Sequence, residues 1–145
     1  MARRISNMNQ LQKALQPIVV KMVDQLAERV YETLNYYLNG YYTGWTPESY
    51  RRTETFLRSA VKVDAYPDKG GVRAYVYIDY NSMDDYVNAT GYQVAKWSIE
   101  GLHGGLSVNH KPRVWDDTLD ETINNGSLLN LAIQYLRSQG ISVRN

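Results

Sequence analysis

Cysteine is absent from the 145-residue chain, so a disulfide framework and a thiolate metal site are both excluded. Histidine is nearly absent, occurring only as His103 and His110, which leaves few ways to build a nucleophile and base or a histidine-rich metal centre. Charge of one sign is missing too: sixteen Lys and Arg against fifteen Asp and Glu leave +1, and so no global electrostatic case for nucleic acid or an anionic membrane. No apolar run approaches membrane-spanning length. Residues 1–10, MARRISNMNQ, carry two arginines with no apolar core behind them, so a protein of the cytosol where it is made is expected. Asn88-Ala89-Thr90 and Asn125-Gly126-Ser127 match the glycosylation acceptor pattern, which without a secretory signal is a coincidence of sequence.

What is present suits an ordinary core. With 43% hydrophobic and 21% charged residues, the length allows one domain, residues 1–145, and is short for two. Neither an internal repeat nor a linker interrupts it. Residues 1–8 read as a polar, flexible arm. Leu11, Leu15, Val19, Met22, Val23, Leu26, Val30, Leu34 and Leu38 then recur at three- and four-residue steps, the spacing of a long amphipathic helix. Pro17 is expected to kink that helix or to open it afresh near N1. From Pro17 to Leu38 such a helix would run about 33 Å at about 1.5 Å per residue, and Gly40 is placed to end it in a left-handed C-cap.

A crowd of large rings follows. Tyr36, Tyr37, Tyr41, Tyr42 and Trp45 lie within ten positions, broken by Gly40 and Gly44. Such rings meet other protein surfaces, and they also pack loops onto their own core; both readings stay open. Thr46 is a good N-cap with Pro47 at the first helical position, and Tyr50, Thr53, Phe56, Leu57, Ala60 and Val61 mark an apolar stripe. A helix from Thr46 to about Val61 is therefore expected. Its opposite face pairs Glu48 with Arg52 and Glu54 with Arg58 at the acid-first four-residue spacing, so Arg51 and Arg52 read as a solvated face before they read as a phosphate patch.

Val61–Tyr66 and Val72–Tyr80 alternate apolar with polar around Pro67-Asp68-Lys69-Gly70-Gly71, which is turn chemistry. A β-hairpin is expected, with Val72, Ala74, Val76 and Ile78 against the helices and Arg73, Tyr75, Tyr77 and Asp79 outward. Ser82 is expected to cap a helix running to about Ile99 through Met83, Val87, Val94 and Trp97. Gly101-Leu102-His103-Gly104-Gly105 is too glycine-rich for regular structure. Trp115–Thr122 suggests a short acidic helix, Ser127 the cap of a last one ending at Gly140, and Ile141 and Val143 an edge strand. The fold class is α+β: a long N-terminal helix and two or three more, packed on a small antiparallel sheet built around the hairpin.

Catalytic patterns are scarce. His103, His110, Asp116 and Asp117 could be drawn as a two-histidine, two-carboxylate metal site, although the spacing matches no established ligand pattern. Neither a phosphate loop nor a dinucleotide fingerprint occurs. From these residues no catalytic, cofactor or metal site is assigned.

One resemblance carries the reading further. Tyr41-Tyr42, Pro47, Tyr50, Arg52-Thr53 and Leu57, followed by the alternating hairpin and then Gly101-Leu102-His103-Gly104, resemble the tail-component, or neck and tail-completion, proteins of tailed bacteriophages. That resemblance implies a structural virion protein at the head-tail junction, formed in the host cytoplasm, assembling as a homo-oligomeric ring without catalysis or cofactor. Its implied partners are other copies of itself, the neighbouring connector or head-completion protein, the tail-tube or tail-terminator protein, and DNA passing through the channel; no membrane is involved. Tyr41, Tyr42, Trp45, Tyr75 and Tyr77 are then expected in subunit contacts. The N-terminal arm or the 101–115 loop, with His103, would reach a neighbouring ring or line the channel. Rival readings are a small nucleic-acid-binding module, which the charge balance opposes, and a metal-dependent hydrolase using His103 and His110.

Overall fold

In the computed structural model the described residues are 4–42, 57–82, 90–100, 102–103, 106–107 and 113–144. The architecture is α+β, as expected, and one helix organises it. Helix α1 runs Met8–Tyr42, 35 residues, or about 52 Å. Asn7 caps it: its Oδ1 accepts the Gln10 N–H at 2.9 Å, while Gln10 Oε1 accepts the Ser6 N–H at 2.9 Å. The expected arm is therefore shorter than residues 1–8.

Of the two readings of Pro17, the fresh start is excluded: the helix runs through it, and Pro17 lies on an exposed face. Proline in a helix interior costs about 3 kcal/mol, which the apolar stripe on either side of it offsets by packing on the hairpin. Gly40 keeps right-handed backbone and the helix continues through it, so it is not a left-handed cap.

Strands β1 (Ala60–Asp68) and β2 (Gly71–Ile78) pair antiparallel, from Ala60 with Ile78 to Asp68 with Gly71. Only Lys69 and Gly70 form the turn, at φ 48 and 80, the pair of left-handed residues that suits a strand's twist. Along β2 exposure alternates residue by residue, placing Val72, Ala74, Val76 and Ile78 inward and Arg73, Tyr75 and Tyr77 outward as the sequence indicates. The expected second helix does not reach Val61: Leu57 and Arg58 form a turn and Ala60 already belongs to β1. Its span 46–56 lies outside the described residues.

Tyr80–Ser82 is a single 3-10 turn, and residues 83–89, where the helix expected from Ser82 would begin, lie outside the described residues. Helix α2 runs Gly91–Glu100. Thr90 and Gln93 start it with a reciprocal capping box, Gln93 N–H donating to Thr90 Oγ1 at 3.2 Å and Thr90 N–H to Gln93 Oε1 at 2.8 Å. Met83 and Val87 lie outside the described residues. The glycine-rich segment does hold regular structure, because β3 (Leu102–His103) pairs antiparallel with β4 (Leu106–Ser107).

Helix α3 runs Val114–Leu119 and passes into a π-helical turn, Asp120–Asn124. Buried Thr118 and Thr122 explain the widening: their hydroxyls donate to the carbonyls of Val114 and Thr118, each at 2.6 Å, competing for oxygens that α-helical amides use. Helix α4 spans Ser127–Ser138, with Gly126, at φ 78, rather than Ser127 in the N-cap position. It ends at Gly140, φ 79, in a Schellman motif: Gly140 N–H donates to Arg137 O and Ile141 N–H to Leu136 O, both at 3.0 Å. Residues 141–144 form no strand; Arg137 reaches the Val143 carbonyl instead. Gly140→Ala is expected to cost about 1 kcal/mol through its left-handed backbone alone, since a Cβ there meets nothing within 4 Å. Urea denaturation of that variant checks it.

Leu34, Leu38, Ala95 and Val114 form the buried core, with Tyr37, Leu57, Ala60, Val76, Ile78 and Trp115 packed around it. It gathers at the C-terminal half of α1, where the base of the hairpin, α2 and α3 converge. Toward its N-terminus α1 meets the hairpin's tip, Gln12 Nε2 donating to the Gly70 carbonyl at 3.1 Å. Met8, Leu11, Leu15 and Val19 there line an open, mostly apolar groove of about 320 Å³ with Gly70–Val72.

Candidate functional site

The hairpin has two faces, and each holds a distinct cluster. On the inner face β1 contains a bulge between Val63 and Tyr66, where it carries one residue more than β2. A bulge frees a backbone amide, and Asp24 of α1 takes it: its Oδ1 accepts the Ala65 N–H at 3.0 Å and the Lys62 ammonium at 3.1 Å. Lys62, with only 11% of its side chain exposed, also meets Glu28 at 3.2 Å and Asp64 at 3.0 Å. The Ala65 amide, and then Lys62, hold the Asp24 carboxyl below the usual carboxylate range. Hydrogen bonding to Asp64 first, with Asp24 and Glu28, raises Lys62 against the opposing effect of burial. This is a structural clamp joining helix to hairpin: every donor of the lysine is engaged, and no leaving or attacking group is free.

On the outer face the side chains are large and exposed. Tyr66 is paired across from Arg73, Val63 from Tyr75 and Val61 from Tyr77. Tyr66, Tyr75 and Tyr77 are 39%, 42% and 43% exposed. Arg73 Nη1 donates to the Tyr75 hydroxyl at 3.1 Å while its Nε pairs with Asp68 at 3.1 Å. The Arg73 bond lowers the Tyr75 hydroxyl and the Tyr75 bond raises that of Tyr66, so the three act as one hydrogen-bonded group. Beyond the end of β2, Tyr80 packs edge-on against Tyr92 of α2 with ring centres 5.4 Å apart, and both are exposed. The result is a tyrosine and valine surface that offers apolar area with hydroxyl tips and lacks a nucleophile and base pair.

Of the residues expected at contacts, Tyr75 and Tyr77 share this face. Tyr41 and Tyr42 lie in the last turn of α1 and His103 in β3, paired with Leu106. Trp45, His110, Arg51 and Arg52 lie outside the described residues. Asp116 and Asp117 are both engaged by Arg113, the first through an ion pair and the second by accepting its N–H at 3.0 Å. Among the described residues no group of three His, Asp or Glu side chains is placed to hold a metal ion. Tyr66, Tyr80 and Tyr92 were the surface residues that sequence reasoning missed. Tyr66 could have been found from strand parity once the bulge was known; the other two come together only through the fold.

The sequence model of the YomN family matches residues 7–138, nearly the whole of the described structure. The chain belongs to the YomN family. The YomN name is phage-derived, and membership points to a phage protein. The match begins at the Asn7 cap of α1 and ends at the last residue of α4, so the YomN unit and the helix-and-hairpin architecture coincide. No curated protein and no solved structure matches the chain.

Proposed function

We propose that this YomN-family protein is a structural subunit of the phage head-tail junction, a neck or tail-completion protein that assembles as a ring through protein–protein contacts. One observation carries the reading: a phage-family chain presents an exposed tyrosine and valine sheet face with no catalytic constellation on it. Tyrosine is favoured at interfaces because it combines apolar area with a polar tip at small entropic cost. A ring subunit needs two different lateral surfaces, since head-to-tail contacts that close by rotation are heterologous. The hairpin's outer face is one candidate, and the end of α1 with Tyr41 and Tyr42 is another. Its partners are other copies, the connector or head-completion protein on one side and the tail-tube or tail-terminator protein on the other, around a channel for DNA. It acts without catalysis or cofactor, in the host cytoplasm during assembly and in the virion afterwards.

Light scattering over a concentration series, alone and with the connector and tail-tube proteins of the same phage, tests the proposal. A ring-sized mass, or one that forms on mixing, is expected. A 16.7 kDa species that ignores both partners at every concentration contradicts it. The variant carrying Tyr75→Asp and Tyr77→Asp is expected to abolish the large species while stability, read by urea denaturation, falls by only about 1 kcal/mol per site, the loss of the cross-strand pairs and of the Arg73 bond.

A further inference from the structure

A two-stranded sheet leaves two edges, and here they are unequal. Among the described residues neither edge carries a third strand. Natural sheets blunt exposed edges with proline, inward-pointing charge and bulges. Strand β1 has all of these: Pro67, the inward Lys62, and a bulge whose freed amide Asp24 already occupies. Strand β2, Gly-Val-Arg-Ala-Tyr-Val-Tyr-Ile, has none. Among the described residues its edge is open by position as well as by composition.

Which backbone groups that edge offers follows from the ladder. Asp79 N–H donates to the Ser59 carbonyl at 2.8 Å, which makes that pair a hydrogen-bonded one. Bonding alternates along antiparallel strands, so Tyr77 and Tyr75 also point their amides toward β1. Ala74, Val76 and Ile78 therefore point theirs away. The same residues turn their side chains to the inner face, while the outer face of β2 reads Arg73, Tyr75, Tyr77 and then Asp79.

That order is self-complementary about Val76. Laid antiparallel on a second copy with Val76 opposite Val76, it sets Tyr75 against Tyr77, Arg73 against Asp79 and Ala74 against Ile78. Aromatic pairs and opposite charges are the favourable cross-strand combinations. In this register the outward groups of Val76, Ala74 and Ile78 meet their counterparts, giving about six main-chain hydrogen bonds. Moving the centre to Ala74 keeps the bonding parity but sets Ile78 opposite Gly70 and Asp79 opposite Lys69, two residues of the left-handed turn that cannot continue a ladder, and replaces the tyrosine pair with Arg73 opposite Tyr75.

We infer that the β2 edge binds the β2 edge of a second copy, forming a four-stranded antiparallel sheet across a two-fold axis. A lone two-stranded sheet is marginal in water, whereas three or more strands with an apolar face are self-supporting. Pairing also continues the valine face that α1 covers and doubles the outer tyrosine surface. This contact belongs to the free subunit and is separate from the ring: an isologous pair closes on itself, joining two copies rather than propagating around a circle, and would make the two faces of a ring identical.

Engineered cysteines test the register, because the chain has no cysteine of its own. Tyr75→Cys protein mixed with Tyr77→Cys protein, under mild oxidation, is the decisive sample. The two positions form a non-hydrogen-bonded pair with Cα atoms about 4.5 Å apart, within disulfide reach. Two copies of Tyr75→Cys, or two of Tyr77→Cys, stand about 8 Å apart in this register, beyond it. The mixture is expected to form covalent dimer roughly tenfold faster than either variant alone, and the unmodified protein to show a species of twice 16.7 kDa by sedimentation. Equal linking in all three samples, or no species above the monomer at any concentration, overturns the pairing. A dimer that cross-links as described yet ignores connector and tail-tube proteins keeps this inference and removes the ring.

Discussion

Leu34→Ala is expected to lose about 3 kcal/mol of folding stability, the middle of the range for truncating a fully buried leucine. Leu34 has no solvent exposure and sits in the cluster with Leu38, Ala95 and Val114 where α1, the hairpin base, α2 and α3 meet. No other described part of the chain holds a comparable group of fully buried apolar side chains, so a cavity there loosens every element at once. Partial collapse of Tyr37 or Trp115 into the space would keep the loss nearer 2 kcal/mol than 5 kcal/mol. In thermal unfolding this corresponds to a fall of roughly 10 °C for a chain of this size. Leu129→Ala, at a site 66% exposed on α4, should move stability by less than about 0.5 kcal/mol. Similar losses at the two sites would contradict a core centred on Leu34.

Asp24→Ala is expected to be the next most damaging change, by about 2 kcal/mol at pH 7. It strips the acceptor from the bulge amide of Ala65 and removes one of the carboxylates around Lys62. Because 40% of the Asp24 side chain is exposed, water screens its charge and the loss stays below that of a fully buried pair. Asp24→Asn keeps a carbonyl oxygen for the Ala65 amide and should lose less. The pH dependence has a definite sign. The folded-state pKa of Asp24 lies below its unfolded value of about 3.9, so its contribution is present above that value and disappears as the pH falls through the folded one. Parent and Asp24→Ala should therefore converge in stability on acidification below about pH 4. Lys62 behaves oppositely: its pKa is raised, so its contribution is complete below about 10.4 and is lost only as pH rises through the folded value. Urea titrations at pH 3 and pH 7 read the first effect directly.

Local patterns carried the sequence far where neighbours in the chain are neighbours in space. Period-two alternation and the Lys69-Gly70 turn made the hairpin and its inward valines legible, and the apolar steps from Leu11 to Leu38 made α1 legible. Misreadings arose where a local signal competed with distant packing. Gly40 is a breaker by propensity and is placed to end α1, yet the helix continues through it. Ala60 and Val61 fit helical spacing from Phe56 and strand alternation toward Val63 equally well; pairing with Ile78 and Tyr77 decided it. Nothing in the neighbourhood of Ala65 announces the bulge, because the carboxylate that accepts its amide stands 41 positions earlier in α1. The tyrosine surface was half legible. Tyr75 and Tyr77 follow from strand parity, whereas the approach of Tyr80 to Tyr92 depends on how α2 docks.

The two faces of the hairpin divide the labour. Inside, the clamp of Lys62, Asp24 and Ala65 ties the bulged strand to the helix. Outside, Tyr66, Tyr75 and Tyr77 are exposed. Placement fixed in advance reduces the entropy lost on association, which would favour the docking proposed for this face.

Electron microscopy of purified particles carrying a labelled copy of this protein tests the head-tail assignment most directly. Label at the junction between head and tail, together with unjoined heads and tails when the gene is deleted, is the expected result. Joined, infectious particles that contain none of the protein would contradict it.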